Sequence, residues 1–320
     1  MTAMSNHLFG YVRAAAEADE EAPRRPFLET PQGRRLSYGD VMAGSARFAN
    51  ALSELGVTPG DRVAVQVEKS PEALLLYLGC VRLGAVFLPL NTAYTSAELD
   101  YFVGDAEPSL LVCDPAKREA LGQIAKAVRP RAVETLDTRG EGSLAERAKA
   151  ASSDCEDGAR GPEDLAAILY TSGTTGRSKG AMLTHANLAS NAVTLLRFWR
   201  FNGEDVLLHA LPVYHTHGLF TATNTVLFCG ASMIFMARFD ADELLRQMPR
   251  ATAMMGVPTF YTRLLRHDGL TREATRHMRL FISGSAPLLA DTHREWRART
   301  GHSILERYGI CLFYTSAAAD

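Results

Sequence analysis

The segment Tyr170–Gly180 reads YTSGTTGRSKG, with three glycines, three threonines, two serines, one arginine and one lysine in eleven residues. Glycines allow positive φ and let backbone N–H groups come close to an anion. The hydroxyls of Thr171, Ser172, Thr174 and Thr175 add neutral donors, and Lys179 adds a point charge. By residue type this is a phosphate cradle. It is not a Walker A loop, because no G-x-x-x-x-G-K-[ST] register fits. A surface loop can have the same composition, so composition alone leaves both readings open.

Two further groups carry possible chemistry. His215 and His217 flank Thr216, with His209 upstream, a spacing that can also ligate metal. No Cys or acidic cluster accompanies them and an apolar Leu-Phe run follows, so we assign no metal ligand and read a pocket wall. Arg263 lies in the segment after Pro258. Its planar fork can grip a carboxylate bidentately, which a lysine does less well. Taken alone, it reads more readily as a solvated helix arginine.

The elements that must position these residues alternate between helical and strand periods. Val41, Phe48, Leu52 and Leu55 mark a helical face stopped by Gly56, and Val63, Val65 and Val67 recur as in a strand. Ser70-Pro71-Glu72 supplies a cap, an N1 proline and a first-turn acid for a helix to about Leu83. Strands are expected at 86–90, 109–114, 164–170 and 180–184, with a helix opening at Ser96 and another over His185–Trp199. Further on, DVLLHAL, SMIFM, TAMMGV and MRLFIS read as strands, separated by helices after His217, from Asp240 and from Pro258, and a last helix spans about Leu289–Thr300. The segment from about Thr138 to Gly161 is rich in Gly, Ser and charge and reads as a linker or solvated crossing. The expected class is α/β with largely parallel sheets.

Composition excludes several functions. With 34 Lys+Arg against 36 Asp+Glu the formal net charge is −2, which offers no broad attraction to nucleic acid or anionic membrane. The five cysteines form no CxxC pair, so neither a disulfide framework nor a zinc knuckle is indicated. The N-terminal stretch lacks an apolar h-region and carries Asp19, Glu20 and Glu21, which fits a cytoplasmic address. Residues 73–90 are apolar apart from Arg82, but a central arginine costs about 2.5–3.5 kcal/mol on insertion scales. A buried helix and strand are expected there, not a membrane span.

The Tyr170–Gly180 string resembles the signature of the adenylate-forming superfamily, which includes acyl-CoA synthetases, peptide-synthetase adenylation domains and luciferases. LPVYHTHGL (211–219) resembles its aromatic-His motif, GVPTFYTRLL (256–265) its acyl-pocket segment, ISGSAPL (282–288) its adenine turn, and ERYG (306–309) the start of its aromatic-Gly-x-Thr-Glu motif. Within the superfamily, strings such as HALPVYHTHGLF are most similar to malonyl-CoA synthetases. The resemblance implies a large-domain architecture of two stacked, largely parallel sheets flanked by helices. It places a first subdomain at 1–160 and a second, with phosphate loop and acyl pocket, at 161–309.

The resemblance also implies the chemistry. A carboxylate attacks the α-phosphorus of Mg-ATP to give acyl-AMP, and CoA then displaces AMP. Thr171, Ser172, Gly173, Thr174, Thr175, Gly176 and Lys179 would hold the phosphates. Gly284, Ser285, Ala286, Pro287, Glu306, Arg307, Tyr308 and Gly309 would complete the nucleotide site. His217, Arg263 and Ser285 would take malonate or methylmalonate, with Thr171, Lys179 and His217 as the catalytic residues. After Gly309 the chain departs from the pattern: Cys311 and Leu312 stand where the family has Thr and Glu, and neither offers a hard oxygen to Mg²⁺. Residues 310–320 therefore read as a tail foreign to the family, and the barrel subdomain and C-terminal lid as lacking, so that an inactive, truncated copy is expected. A ligase for another short or aromatic carboxylate, and a non-catalytic nucleotide-binding remnant, are the alternative readings.

Overall fold

The computed structural model describes residues 6–171 and 178–307, with Thr171 described by its backbone alone. Helix α1 (His7–Ala16) precedes β1 (Pro26–Glu29), β2 (Arg35–Ser37) and α2 (Tyr38–Glu54). Next come β3 (Arg62–Gln66), α3 (Pro71–Leu83), β4 (Val86–Pro89), α4 (Ser96–Ala106), β5 (Leu110–Cys113), α5 (Arg118–Val128) and β6 (Ala132–Thr135). Helix α6 (Ser143–Ala150) leads to β7 (Leu165–Thr171), β8 (Lys179–Thr184), α7 (His185–Trp199) and β9 (Val206–His209). A π-helix (His217–Thr223) runs into α8 (Asn224–Cys229), β10 (Ser232–Phe235), α9 (Ala241–Gln247) and β11 (Ala253–Gly256). The described chain ends with α10 (Pro258–Leu265), β12 (Leu280–Gly284), α11 (Ala290–Thr300) and β13 (Ile304–Arg307).

The strands form two sheets flanked by helices, as the α/β reading expects. One has the order β6-β5-β3-β4-β7-β8, and all its neighbours are parallel except β7 and β8. The other has the order β13-β12-β11-β9-β10-β1-β2, parallel except for the β1–β2 pair. Contacts divide the chain into two compact units. The first is built on Asp40–Ser190 with Val213–Thr216 and the start of α1; the second takes Ala15–Gly39, Asn191–Pro212 and the chain from His217 onward.

In the first unit, α3 begins where the sequence signals it: the Ser70 side chain accepts the Ala73 N–H, Pro71 opens the helix, and Gly84 closes it at φ +83°. Helix α4 is capped by Thr95, whose side chain and Glu98 form a reciprocal capping box. Leu99, Phe102 and Val103 from this helix pack with Ala64, Leu88, Leu111 and Cys113 of the sheet. Among the described residues, no helix is long and apolar enough to cross a membrane.

Arg82, the lone charge of the apolar run, is buried and fully engaged. Its Nε donates to Asp157 at 2.6 Å, Nη1 to the Met42 carbonyl and Nη2 to the Cys155 carbonyl. Arg13 donates to the other oxygen of Asp157 at 2.6 Å. This corrects the reading of residues 138–161 as a linker. That stretch contains α6, which buries Leu144, Ala145 and Ala148, and its Asp157 side chain is only 4% exposed. The polar residues that suggested solvent are partly consumed inside the fold: Glu134 accepts from Ser143 and Arg147 across the turn into α6.

In the second unit the core centres on Trp296, packed edge-on against Tyr261 and Phe281. The Tyr261 hydroxyl donates to the Ile282 carbonyl at 2.7 Å, so a buried phenol ties α10 to β12.

Candidate active site

The motif expected to hold phosphate joins two antiparallel neighbours in the first unit. Thr171 pairs with Lys179 and Tyr170 with Gly180, so β7 and β8 bring both ends of the motif together. Ser172, Gly173, Thr174, Thr175 and Gly176 lie outside the described residues, and Lys179 is exposed at the start of β8. A Cβ on Gly180 would sit 3.0 Å from Ile168 Cγ2 and 3.4 Å from the Tyr170 ring, which explains a glycine facing that ring. Tyr170 donates to Asp105 at 2.5 Å, and Tyr101 donates to the Ser178 carbonyl at 2.8 Å. Burial first, and then the Asp105 carboxylate, push the Tyr170 phenol well above its ordinary range.

The residues expected to take the acid lie in the second unit: His217 opens the π-helix, Ser285 follows β12, and Arg263 lies on α10. In open α/β sheets the carboxyl end of parallel strands is where ligands bind. Register places Gly284 opposite Arg307. A Cβ at Gly284 would lie 2.9 Å from His217 Cε1, so the glycine admits the imidazole. His217 is 4% exposed; its Nδ1 is 3.4 Å from Ser285 Oγ, and its Nε2 is buried with no hydrogen-bond partner. Burial, with help from the positive charge of Arg307, pushes the ring down to about 3. It is therefore a neutral imidazole with one donor and one acceptor.

The structure distributes the other expected residues unevenly. Ser285 stands next to His217 and holds φ +72°, a left-handed conformation uncommon for a residue with a Cβ. Ala286 and Pro287 follow it at the surface. Glu306 holds this turn in shape: it accepts the Leu288 N–H at 3.1 Å and bonds His293 at 2.9 Å, and these two contacts pull its carboxyl below the usual range. Arg307 donates to Asn191 at 3.3 Å. Arg263 is exposed on α10, with its guanidinium carbon 5.1 Å from the Phe239 ring centroid. Its one described side-chain contact is thus an aromatic face, and the cation acting on His217 is Arg307. Tyr308 and Gly309 lie outside the described residues.

Sequence reasoning assigned Arg307 to the nucleotide and missed its place beside His217. Only the register of β12 against β13 reveals that neighbourhood. It also gave no role to Thr223 and did not foresee that the side chains of His209 and Thr223 both meet the Gly218 carbonyl at 2.9 Å. Among the described residues, no three His, Cys, Asp or Glu side chains gather where a metal ion could sit.

Two largely parallel sheets flanked by helices, one of them carrying the glycine- and hydroxyl-rich motif between β7 and β8, place the chain in the α/β class. The family model for AMP-binding enzymes matches residues 14–311, and the chain belongs to that family. MatB from Rhodopseudomonas palustris is similar: the apo structure is 57% identical with a TM-score of 0.91, over 96% of this chain and 60% of that one. The ATP-bound form of MatB is 58% identical with the same TM-score. Among curated relatives, the mitochondrial malonate–CoA ligase ACSF3 of Homo sapiens is 30% identical over 87% of this chain and 51% of its own length. A feruloyl-CoA synthase of Amycolatopsis sp. is 33% identical over 87% of this chain and 55% of its own. The chain thus spans about half the length of the curated relatives it matches.

Proposed function

We propose that this chain carries the nucleotide- and acid-binding part of an acid–thiol ligase of the malonyl-CoA synthetase type. Malonate or methylmalonate would be activated by ATP as acyl-AMP and then passed to CoA. The observation that carries this reading is the environment of His217, a neutral and nearly buried imidazole with an unpartnered Nε2, set between Ser285 and the field of Arg307. An acyl pocket for a fatty tail wants apolar walls. A C3 diacid needs hydrogen-bond donors and a cation for the carboxylate that does not react, and Arg307 with Arg263 would supply the charge that a neutral His217 cannot. The similarity to MatB, a structure of which holds ATP, supports the nucleotide assignment.

In this reading the phosphates of ATP rest on Thr171, Ser172, Gly173, Thr174, Thr175, Gly176 and Lys179. Gly284, Ser285, Ala286, Pro287, Glu306, Arg307, Tyr308 and Gly309 would bound the nucleotide and acyl sites. Little proton transfer is required, because orientation and charge neutralisation carry phosphoryl chemistry. Mg²⁺ would enter with the phosphates of ATP. The described residues gather no carboxylate set for it, and Glu306 is already committed to Leu288 and His293, so no step is assigned to a protein-held metal. A cytoplasmic setting belongs to the same proposal and suits the free thiols of Cys80, Cys113, Cys155 and Cys229.

Calorimetry on the 320-residue chain tests the reading. ATP should bind, and Lys179→Ala should weaken it about tenfold. In the presence of ATP, malonate should bind more tightly than benzoate or ferulate, and Arg307→Leu should remove that preference. Tighter binding of an aromatic acid would replace the diacid reading with that of an aromatic-acid ligase.

A further inference from the structure

The seven residues of the π-helix, His217–Thr223, are all buried, and its second residue is held in an unusual way. The Gly218 carbonyl receives two side-chain contacts at 2.9 Å, from His209 Nε2 and from Thr223 Oγ1. A carbonyl only accepts, so His209 must carry its proton on Nε2. Thr223 reaches back five residues to that carbonyl, whereas a threonine in an α-helix reaches back three or four. Its hydroxyl is matched to the wider π turn. Nothing at position 218 but glycine fits, since a Cβ there would lie 2.0 Å from the Pro212 carbonyl.

His209 is fixed in turn. It ends β9, the central strand of the seven-stranded sheet, is fully buried, and packs edge-on against Phe235 with ring centroids 5.4 Å apart. The π-helix is therefore anchored to the rigid middle of the sheet through one carbonyl. Single π turns inside helices occur often at functional sites. Relaxation of a π turn to α geometry removes one residue from the turn, which moves everything before it by about 1.5 Å and roughly 100° around the axis. The residue at that leading end is His217, whose free Nε2 and neighbour Ser285 define the recess.

We propose that His209 and Thr223 are positioning residues that clamp the Gly218 carbonyl, hold the π register, and thereby aim His217 at the carboxylate of a small dicarboxylic acid. The aim rests on the function proposed above; the clamp does not. Thr223→Val keeps the shape and removes the donor, His209→Phe keeps the ring against Phe235, and Thr223→Ser restores the hydroxyl.

Calorimetry on the full chain should show malonate binding weakened about tenfold in Thr223→Val and His209→Phe, ATP binding within twofold of the unsubstituted chain, and malonate binding regained in Thr223→Ser. Malonate binding within twofold in both variants, or parallel losses for malonate and ATP, would overturn the proposal. The clamp is read separately by NMR of chains carrying ¹³Cε1-histidine. The His217 signal should move in Thr223→Val and return in Thr223→Ser, while those of His267 and His302 stay in place. An unmoved His217 signal overturns the clamp whether or not malonate binds. If the unsubstituted chain binds ATP but not malonate, the substrate reading and the aim fail together, and the NMR result alone decides the clamp.

Discussion

Gly284 and His217 occupy space that only one of them can fill. With a Cβ at 284 set 2.9 Å from His217 Cε1, Gly284→Ala forces the imidazole away from Ser285 or bends the end of β12. Overpacking of this kind costs about 1–3 kcal/mol. The expected outcome is a lower thermal midpoint, together with, on the proposed function, a loss of malonate affinity larger than the loss of stability explains. Equal malonate affinity in the two proteins would show that the ring has room to yield. The glycine-rich turn is visible in the sequence as ISGSAPL, and the histidine in the HTHG string. Their contact is not, because they stand 67 positions apart in the chain and only the order of the strands closes the gap. Arg307 is similar: its residue type is plain, but its effect on His217 depends on β13 lying next to β12.

At the scale of elements, the strongly patterned segments are legible. Helix α3 with its Ser-Pro-Glu start, strands β3 to β5, and α7 over His185–Trp199 appear where period and caps put them. The failures share a cause. Helix α6 is short and buries only three small or aliphatic side chains, so its stripe is lost among charges. The π-helix has the same residue types as an α-helix and differs only in how a carbonyl is held. Asp157 reads as a solvated linker residue because its partners, Arg82 and Arg13, are 75 and 144 positions away. That pairing fastens α1 and α3 to the crossing segment, and both the Arg82 and Asp157 side chains are 4% exposed. Removing one member of a buried pair strands a charge at a cost of about 3–5 kcal/mol. Asp157→Ala should therefore destabilise the chain by that amount in urea titrations. The double variant Arg82→Met/Asp157→Ala should recover much of it, since Arg13 can turn to solvent. A double variant no better than the single one would mean that the Arg82 bonds to Met42 and Cys155 matter more than its charge partner.

For the molecule as a whole, acid should act first through histidines whose rings burial pushes down, His185 and His217 furthest and His215 with them. His185, in the first unit, accepts the Leu8 N–H on Nδ1 at 3.3 Å, and burial pushes its ring down from 6.5 to about 4. His217, in the second unit, is pushed to about 3, mainly by burial. Above pH 6.5 both rings are neutral in the folded and the unfolded chain, and neither contributes a pH dependence. Below 6.5 the unfolded chain takes up protons that the folded chain refuses, so stability falls as pH falls, by about 1.4 kcal/mol per pH unit for each group. The loss levels off near pH 4 for His185 and near 3 for His217. Carboxylates contribute lower down: for Asp205, burial alone would raise the carboxyl, but the bonds from Arg279 and Thr252 outweigh it and leave it below its usual 3.8. Its stabilisation is present above that value and is lost only as pH drops through the folded one. Between pH 6 and 4.5 the histidines should therefore dominate. Urea midpoints measured across that interval should fall steeply for the natural sequence and less steeply for His185→Leu, which has a constant offset at pH 7 from the lost acceptor for Leu8. Parallel slopes for the two proteins would place the acid sensitivity in groups other than His185.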